Sequence, residues 1–201
     1  MRSVRVSWLV LLSALAAFAL AVPPNGLVGR WRSSGTSSGG LGTIFAFHED
    51  GSVDFSPGAV VDMSYRLEGD SLFLPADGQK QTVKFVDDNR VEITAEHEGK
   101  IHTQELKRKG PVPDQKNLIL GEWTTIREDL HGVEATEIFY GAGKCLLVIP
   151  FAWLHGQFVV DGATIRIEVP KVPTIQGPFK VEGETLTIPG AHGGTSQFSR
   201  Y

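Results

Sequence analysis

The feature that most constrains this chain is an internal repeat. Leu27-Val28-Gly29-Arg30-Trp31 recurs 92 positions later as Ile119-Leu120-Gly121-Glu122-Trp123. At the same offset, Phe47-His48-Glu49-Asp50-Gly51 matches Phe139-Tyr140-Gly141-Ala142-Gly143. With one residue inserted, Tyr65 to Leu74 matches Phe158 to Ile167; with two more, Val91-Glu92-Ile93 matches Leu186-Thr187-Ile188. The offset returns to 92 where Leu106-Lys107-Arg108 matches Phe198-Ser199-Arg200. What agrees is an aromatic, a turn glycine and the alternating apolar positions, while the polar surface has drifted. Matches in one order are the mark of a duplicated supersecondary unit. Between the copies, Gly110-Pro111-Val112-Pro113 begins a short, stiff linker. The predicted organisation is a leader over 1–21, a module over 22–109, a linker over 110–118 and a second module over 119–201. Each module carries every element and is expected to fold by itself.

Within a copy no apolar stripe follows the helical period. Short alternating or β-branched runs recur every 8–12 positions with turn residues between them, the spacing of a meander, sandwich or barrel. In copy one the strands fall near 27–34, 43–48, 52–56, 59–67, 71–75, 81–86, 90–96 and 101–107. Glu49-Asp50-Gly51 and Glu68-Gly69-Asp70 supply glycine for positive φ. Loops this short cannot make parallel crossovers, so neighbouring strands are antiparallel. The predicted fold class is all-β: two tandem small antiparallel up-and-down β-barrels, or strongly curled meanders, after an N-terminal signal peptide.

The leader is read from its three parts. Arg2 and Arg5 precede the uncharged apolar run Trp8 to Leu20, and Ala19-Leu20-Ala21 fits the small-residue cleavage pattern. The apolar run is shorter than the ~20 residues that span a bilayer. The expected location is therefore secreted or periplasmic, with no membrane span in the mature chain. After residue 21 remain all 23 acidic residues and 17 of the 19 basic ones, a net charge of 17 − 23 = −6. That balance gives no electrostatic footprint for nucleic acid. Cys145 is the single cysteine, so no internal disulfide can form. It lies in Lys144-Cys145-Leu146-Leu147-Val148-Ile149, where a thiol acts as a small apolar group.

The Gly-x-Trp opening, the aromatic before an Asp-Gly turn, Tyr65 before a Gly-Asp hairpin and the closing Leu/Phe-x-Arg pattern resemble small bacterial lipocalin-like domains. The resemblance covers both copies. It implies that each tryptophan closes one end of a barrel under an arginine from the last strand of its module. Carried over, this pairs Trp31 with Arg108 and Trp123 with Arg200, a cation–π contact worth roughly 0.5–2 kcal/mol. The chain departs from true lipocalins in size and in lacking a C-terminal helix and disulfides. A small barrel can also be filled by its own side chains.

Chemical motifs are few. Gly35-Thr36-Ser37-Ser38-Gly39 fits the nucleophile-elbow pattern but leads into a strand, where the elbow needs a helix. His97 and His102 would face each other if Gly99-Lys100 formed a two-residue turn, yet zinc wants three or four ligands and no further one is near in sequence. No catalytic residue, metal site or cofactor is assigned, and an enzyme is not expected. The copies differ most where the apolar run Leu146 to Leu154 replaces Val53 to Val61. Phe151, Trp153 and Leu154 cannot all hide on one strand face, so they become candidates for a ligand cavity, an inter-module contact or a partner surface. The expectation is a binding protein for a small apolar ligand or a cell-envelope partner. The alternative is a structural or inhibitory envelope protein with filled barrels.

Overall fold

A computed structural model describes residues 26–74, 80–190 and 193–201; the leader expected over 1–21 lies outside the described residues. The described chain is all-β and antiparallel. In order, the strands are β1 (Gly29–Ser33), β2 (Leu41–Phe47), β3 (Ser52–Ser64), β4 (Arg66–Glu68), β5 (Ser71–Phe73) and β6 (Lys80–Asp87). They continue with β7 (Arg90–His97), β8 (Lys100–Lys109), β9 (Gly121–Arg127), β10 (Val133–Tyr140), β11 (Lys144–Pro150) and β12 (Leu154–Asp161). The last are β13 (Thr164–Glu168), β14 (Ile175–Pro178), β15 (Lys180–Glu182), β16 (Thr185–Pro189) and β17 (Thr195–Arg200).

The repeats are not the packing units. Pro57-Gly58, read from sequence as a break between two strands, lies within the straight 13-residue β3. Its second half, Gly58 to Ser64, pairs with β11, and its first half, Ser52 to Phe55, pairs with β12. Paired positions sum to 208 along β11 and to 209 along β12, so the ribbon carries a one-residue bulge where it crosses. There the Phe151 N–H donates to the Pro57 carbonyl at 3.0 Å, and the Ala152 N–H to Ser56 Oγ at 3.2 Å. Gly58 faces Pro150, its own repeat equivalent 92 positions away, so a pseudo-twofold axis passes through that pair. A Cβ at Gly58 would stand 2.5 Å from the Ile149 carbonyl oxygen and 2.7 Å from Ile44 Cδ1.

Two lobes result. Lobe 1 contains β1, β2, the first half of β3 and β12 to β17; its core holds Leu27, Trp31, Phe45, Phe47, Val53, Phe158, Ile165 and Phe198. Lobe 2 runs from Gly58 to Pro150 without interruption, and its core holds Leu72, Val83, Val91, Leu106, Ile119, Trp123, Phe139 and Cys145. A third cluster, Ile44, Val60, Ile138, Leu146 and Val148, joins the lobes. The expected division at 109/119 is thus replaced by one at 57/58 and 150/151. Chain connectivity supplies a reason. The short linker makes β8 and β9 antiparallel neighbours at small loop-closure cost, and β17 then closes on β1. The lobes are curled meanders, not closed barrels. Single residues, Tyr65 and Phe179, separate β3 from β4 and β14 from β15.

Candidate functional site

The crossing changes which arginine meets which tryptophan. Arg108 lies over the Trp123 ring at 4.0 Å and Arg200 over the Trp31 ring at 4.2 Å. The expected pairs, Trp31 with Arg108 and Trp123 with Arg200, are therefore exchanged: each tryptophan is covered from the other repeat. The four residues otherwise build two equivalent ends. The Trp31 and Trp123 indole N–H groups donate to the Leu27 and Ile119 carbonyls, both at 2.7 Å. Arg108 Nη1 donates to the Leu120 carbonyl at 2.6 Å and Nη2 to that of Leu118 at 2.5 Å; Arg200 donates to Val28 at 2.8 Å and to Gly26. Gly29 and Gly121 have φ of +132° and +110°, and a Cβ on either would meet the guanidinium. Backbone conformation and close approach both account for the glycine of Gly-x-Trp.

Beyond these shared ends the lobes diverge. Across lobe 1 the same-face ladder row reads Arg200–Trp31–Phe45–Phe55–Leu154. Across lobe 2 the equivalent row reads Arg108–Trp123–Glu137–Leu147–Val61. In lobe 1, Phe45 contacts the rings of Phe47, Phe55 and Phe198 at centroid distances of 5.2 to 5.5 Å. Lobe 2 places Glu137, Leu147 and Leu106 at the Phe45, Phe55 and Phe198 positions, so a carboxylate and two smaller side chains replace three phenyl rings.

A cleft of about 910 Å³ opens in lobe 2, lined by Ile93, Ala95, His102, Gln104, Thr125 and Arg127 among others. It lies at a seam that lobe 1 keeps shut. The β17–β1 ladder runs to Phe198–Ser33 and is extended by the Ser34 N–H donating to the Gln197 carbonyl at 2.9 Å. The β8–β9 ladder stops at Lys107–Thr124, one pair earlier by the repeat offset. Beyond it the core-side positions are Gln104 and Arg127, where lobe 1 has Ser196 and Gly35. Both of these long polar side chains line the cleft.

Glu137 sits inside this lobe. Gln104 Nε2 donates to its Oε1 at 3.2 Å. Its side chain is partly buried, on the core-facing side of β10. Burial pushes its pKa up to about 7, against the lowering effects of the Gln104 hydrogen bond and the Arg127 charge. The sequence reading missed Glu137. The available signal was a polar residue interrupting the core-side alternation Ala135, Glu137, Phe139, at the offset-92 equivalent of Phe45.

The other candidates fall as follows. Leu154 packs in the lobe 1 core opposite Phe55, while Phe151 and Trp153 lie exposed at the ribbon crossing. Cys145 is buried in lobe 2, and desolvation pushes its thiol up to about 12. The β7–β8 turn is Glu98-Gly99, so His102 pairs with Ala95 and His97 with Lys100, and the two histidines are not cross-strand partners. Ser37 Oγ accepts from the Leu41 N–H at 3.1 Å in the β1–β2 loop, with no helix after it. On lobe 1, Asp54 bridges His48 at 2.9 Å and His155 at 2.5 Å, one from each repeat. Among the described residues no group of three His, Cys, Asp or Glu is placed to hold a metal ion, and no helix is long and apolar enough to cross a membrane. No family model, curated protein or solved structure matches the chain.

Proposed function

We propose that this is an exported binding protein of lipocalin-like build, holding a small ligand in lobe 2 while lobe 1 serves as a filled scaffold. One comparison supports the reading: the same ladder position is Phe45 among phenyl rings in lobe 1 and, in lobe 2, Glu137 hydrogen-bonded to Gln104, a residue that lines the open cleft. The cleft is within the usual size range of small-molecule sites, and polar groups converge on it beside apolar wall. Of the small apolar ligand or cell-envelope partner expected from sequence, the polar groups in the cleft favour a small ligand with a polar head. The filled-barrel alternative describes lobe 1 alone. A catalytic reading needs a ready nucleophile beside the carboxyl, and burial keeps the nearby Cys145 thiol protonated, its pKa pushed up to about 12. The leader-like sequence over 1–21 supports export.

Native mass spectrometry of the protein isolated from its own source tests this. One bound small molecule per chain is expected, absent from a Glu137→Phe, Leu147→Phe variant that copies the lobe 1 filling. A folded protein that never carries an adduct, or an adduct that survives the filling, refutes the assignment.

A further inference from the structure

We infer that the ligand of lobe 2 carries an amine head on an apolar body and enters sideways through the open β8–β9 seam, with the head paired to Glu137. The inference rests on the binding reading above and names the ligand's chemistry. Glu137 uses one oxygen, Oε1, to accept from Gln104, and no hydrogen bond is made to Oε2 among the described residues. A neutral amide donor cannot compensate a buried negative charge, and the Arg127 guanidinium acts on it through space. Folding does not require a carboxylate there, since the sister lobe fills the same position with Phe45. An enclosed acid that costs stability and serves no packing need marks a site shaped by a ligand.

The remaining walls favour the same chemistry. Ile93 and Ala95 in the cleft, with Leu147 beside Glu137 in the ladder, offer apolar surface for a short body. Glu105, Glu128 and Glu134 line the cleft together with the basic Lys107 and Arg127. Lys107 and Lys109 only approach Glu105 and Glu134, at 3.8 and 3.7 Å. Three acids against two bases in the lining leave a modest bias toward a cation over an anion. The unzipped seam gives a lateral entrance that lobe 1 lacks. An ammonium donating to the free oxygen makes a charge-assisted hydrogen bond, which an alcohol of the same length cannot match.

The test is isothermal titration of the full chain at pH 8 and low salt with n-octylamine, n-octanol and n-octanoate. The amine is expected to bind about tenfold or more tighter than either, the ratio that about 1.4 kcal/mol supplies. Glu137→Gln, a near-isosteric change, should bring amine and alcohol within about threefold of each other while leaving the alcohol unaffected. Equal affinities in the parent protein, or an amine preference that persists in Glu137→Gln, overturn the head-group assignment. If the alcohol alone binds, the cleft is a binding site for a different chemistry. If none of the three binds and native mass spectrometry finds no adduct, the binding reading falls with it.

Discussion

Replacing Glu137 by Gln should make the protein more stable, by an amount that grows as pH rises above 4.5 and is complete above about 7. Burial raises this carboxyl from an ordinary 4.5 to about 7 in the folded chain. Between those values the native state holds a proton that the unfolded chain has released. The native state thus binds more protons there, and stability falls as pH rises through the window. Each pKa unit is worth 1.36 kcal/mol, so the full loss is at most about 3 kcal/mol, complete above the folded pKa. Residual accessible surface brings it nearer to about 2 kcal/mol. The groups facing the carboxyl are Gln104 from β8, Arg127 from β9 and the buried Cys145 thiol from β11. Glutamine keeps the shape and cannot ionise. Urea unfolding followed by far-ultraviolet circular dichroism, run on both proteins at pH 5 and pH 8, isolates the effect, because other titrations cancel in the difference. The expected result is little change at pH 5 and a gain of about 2–3 kcal/mol at pH 8. An equal effect at both values would refute the argument that the site concedes stability to hold a charge.

Cutting the linker within 110–118 should not separate the halves. Withdrawing repeat 1 from lobe 1 would expose Leu27, Trp31, Phe45, Phe47 and Val53, at ~1.5–3 kcal/mol each, a total comparable with the whole stability of a domain. The nicked protein should therefore elute as one species in size-exclusion chromatography, and two folded half-size monomers would contradict the crossing. A double-mutant cycle on Trp31→Phe with Arg200→Lys should show coupling of about 0.5–2 kcal/mol, while Trp31→Phe with Arg108→Lys should be additive within about 0.5 kcal/mol; the reverse outcome would restore the unexchanged pairing. Gly58→Ala, forced against the Ile149 carbonyl, should lower thermal stability by about 1–3 kcal/mol in a calorimetric scan, and a neutral result would mean the ribbon passes elsewhere.

Much of the fold was legible because the repeat constrains turns and strand faces. Gly51 and Gly69, at turns read from sequence, both have positive φ. Trp31, Arg108, Trp123 and Arg200 do combine into two cation–π pairs. Which arginine covers which tryptophan was not legible, since exchanging equivalent strands between copies leaves every local environment the same. Connectivity decides it, through the length of the linker and the straightening of Pro57-Gly58. A proline-glycine pair reads as a turn, but here Gly58 lies in a ribbon paired on both sides of the crossing, and the ladder outweighs local preference. The site was hidden for a related reason. Glu137 reads as an ordinary surface acid in its own strand and becomes unusual only beside Phe45, its partner by duplication.

The placement of Gly58 opposite Pro150 makes lobe 2 a continuous insertion within lobe 1. Lobe 2 is one stretch of 150 − 58 + 1 = 93 residues, whereas lobe 1 is assembled from the segments on either side. While lobe 2 is folded, the two halves of lobe 1 are held together at the crossing. If lobe 2 melted first, lobe 1 would have to close a flexible loop of that length, at a cost of about 4 kcal/mol by the (3/2)RT ln n rule. Lobe 2 owes no such debt to lobe 1. The filled lobe therefore depends on the hollow one for its stability, and a ligand that tightens lobe 2 would lower the local-unfolding rate of the whole chain.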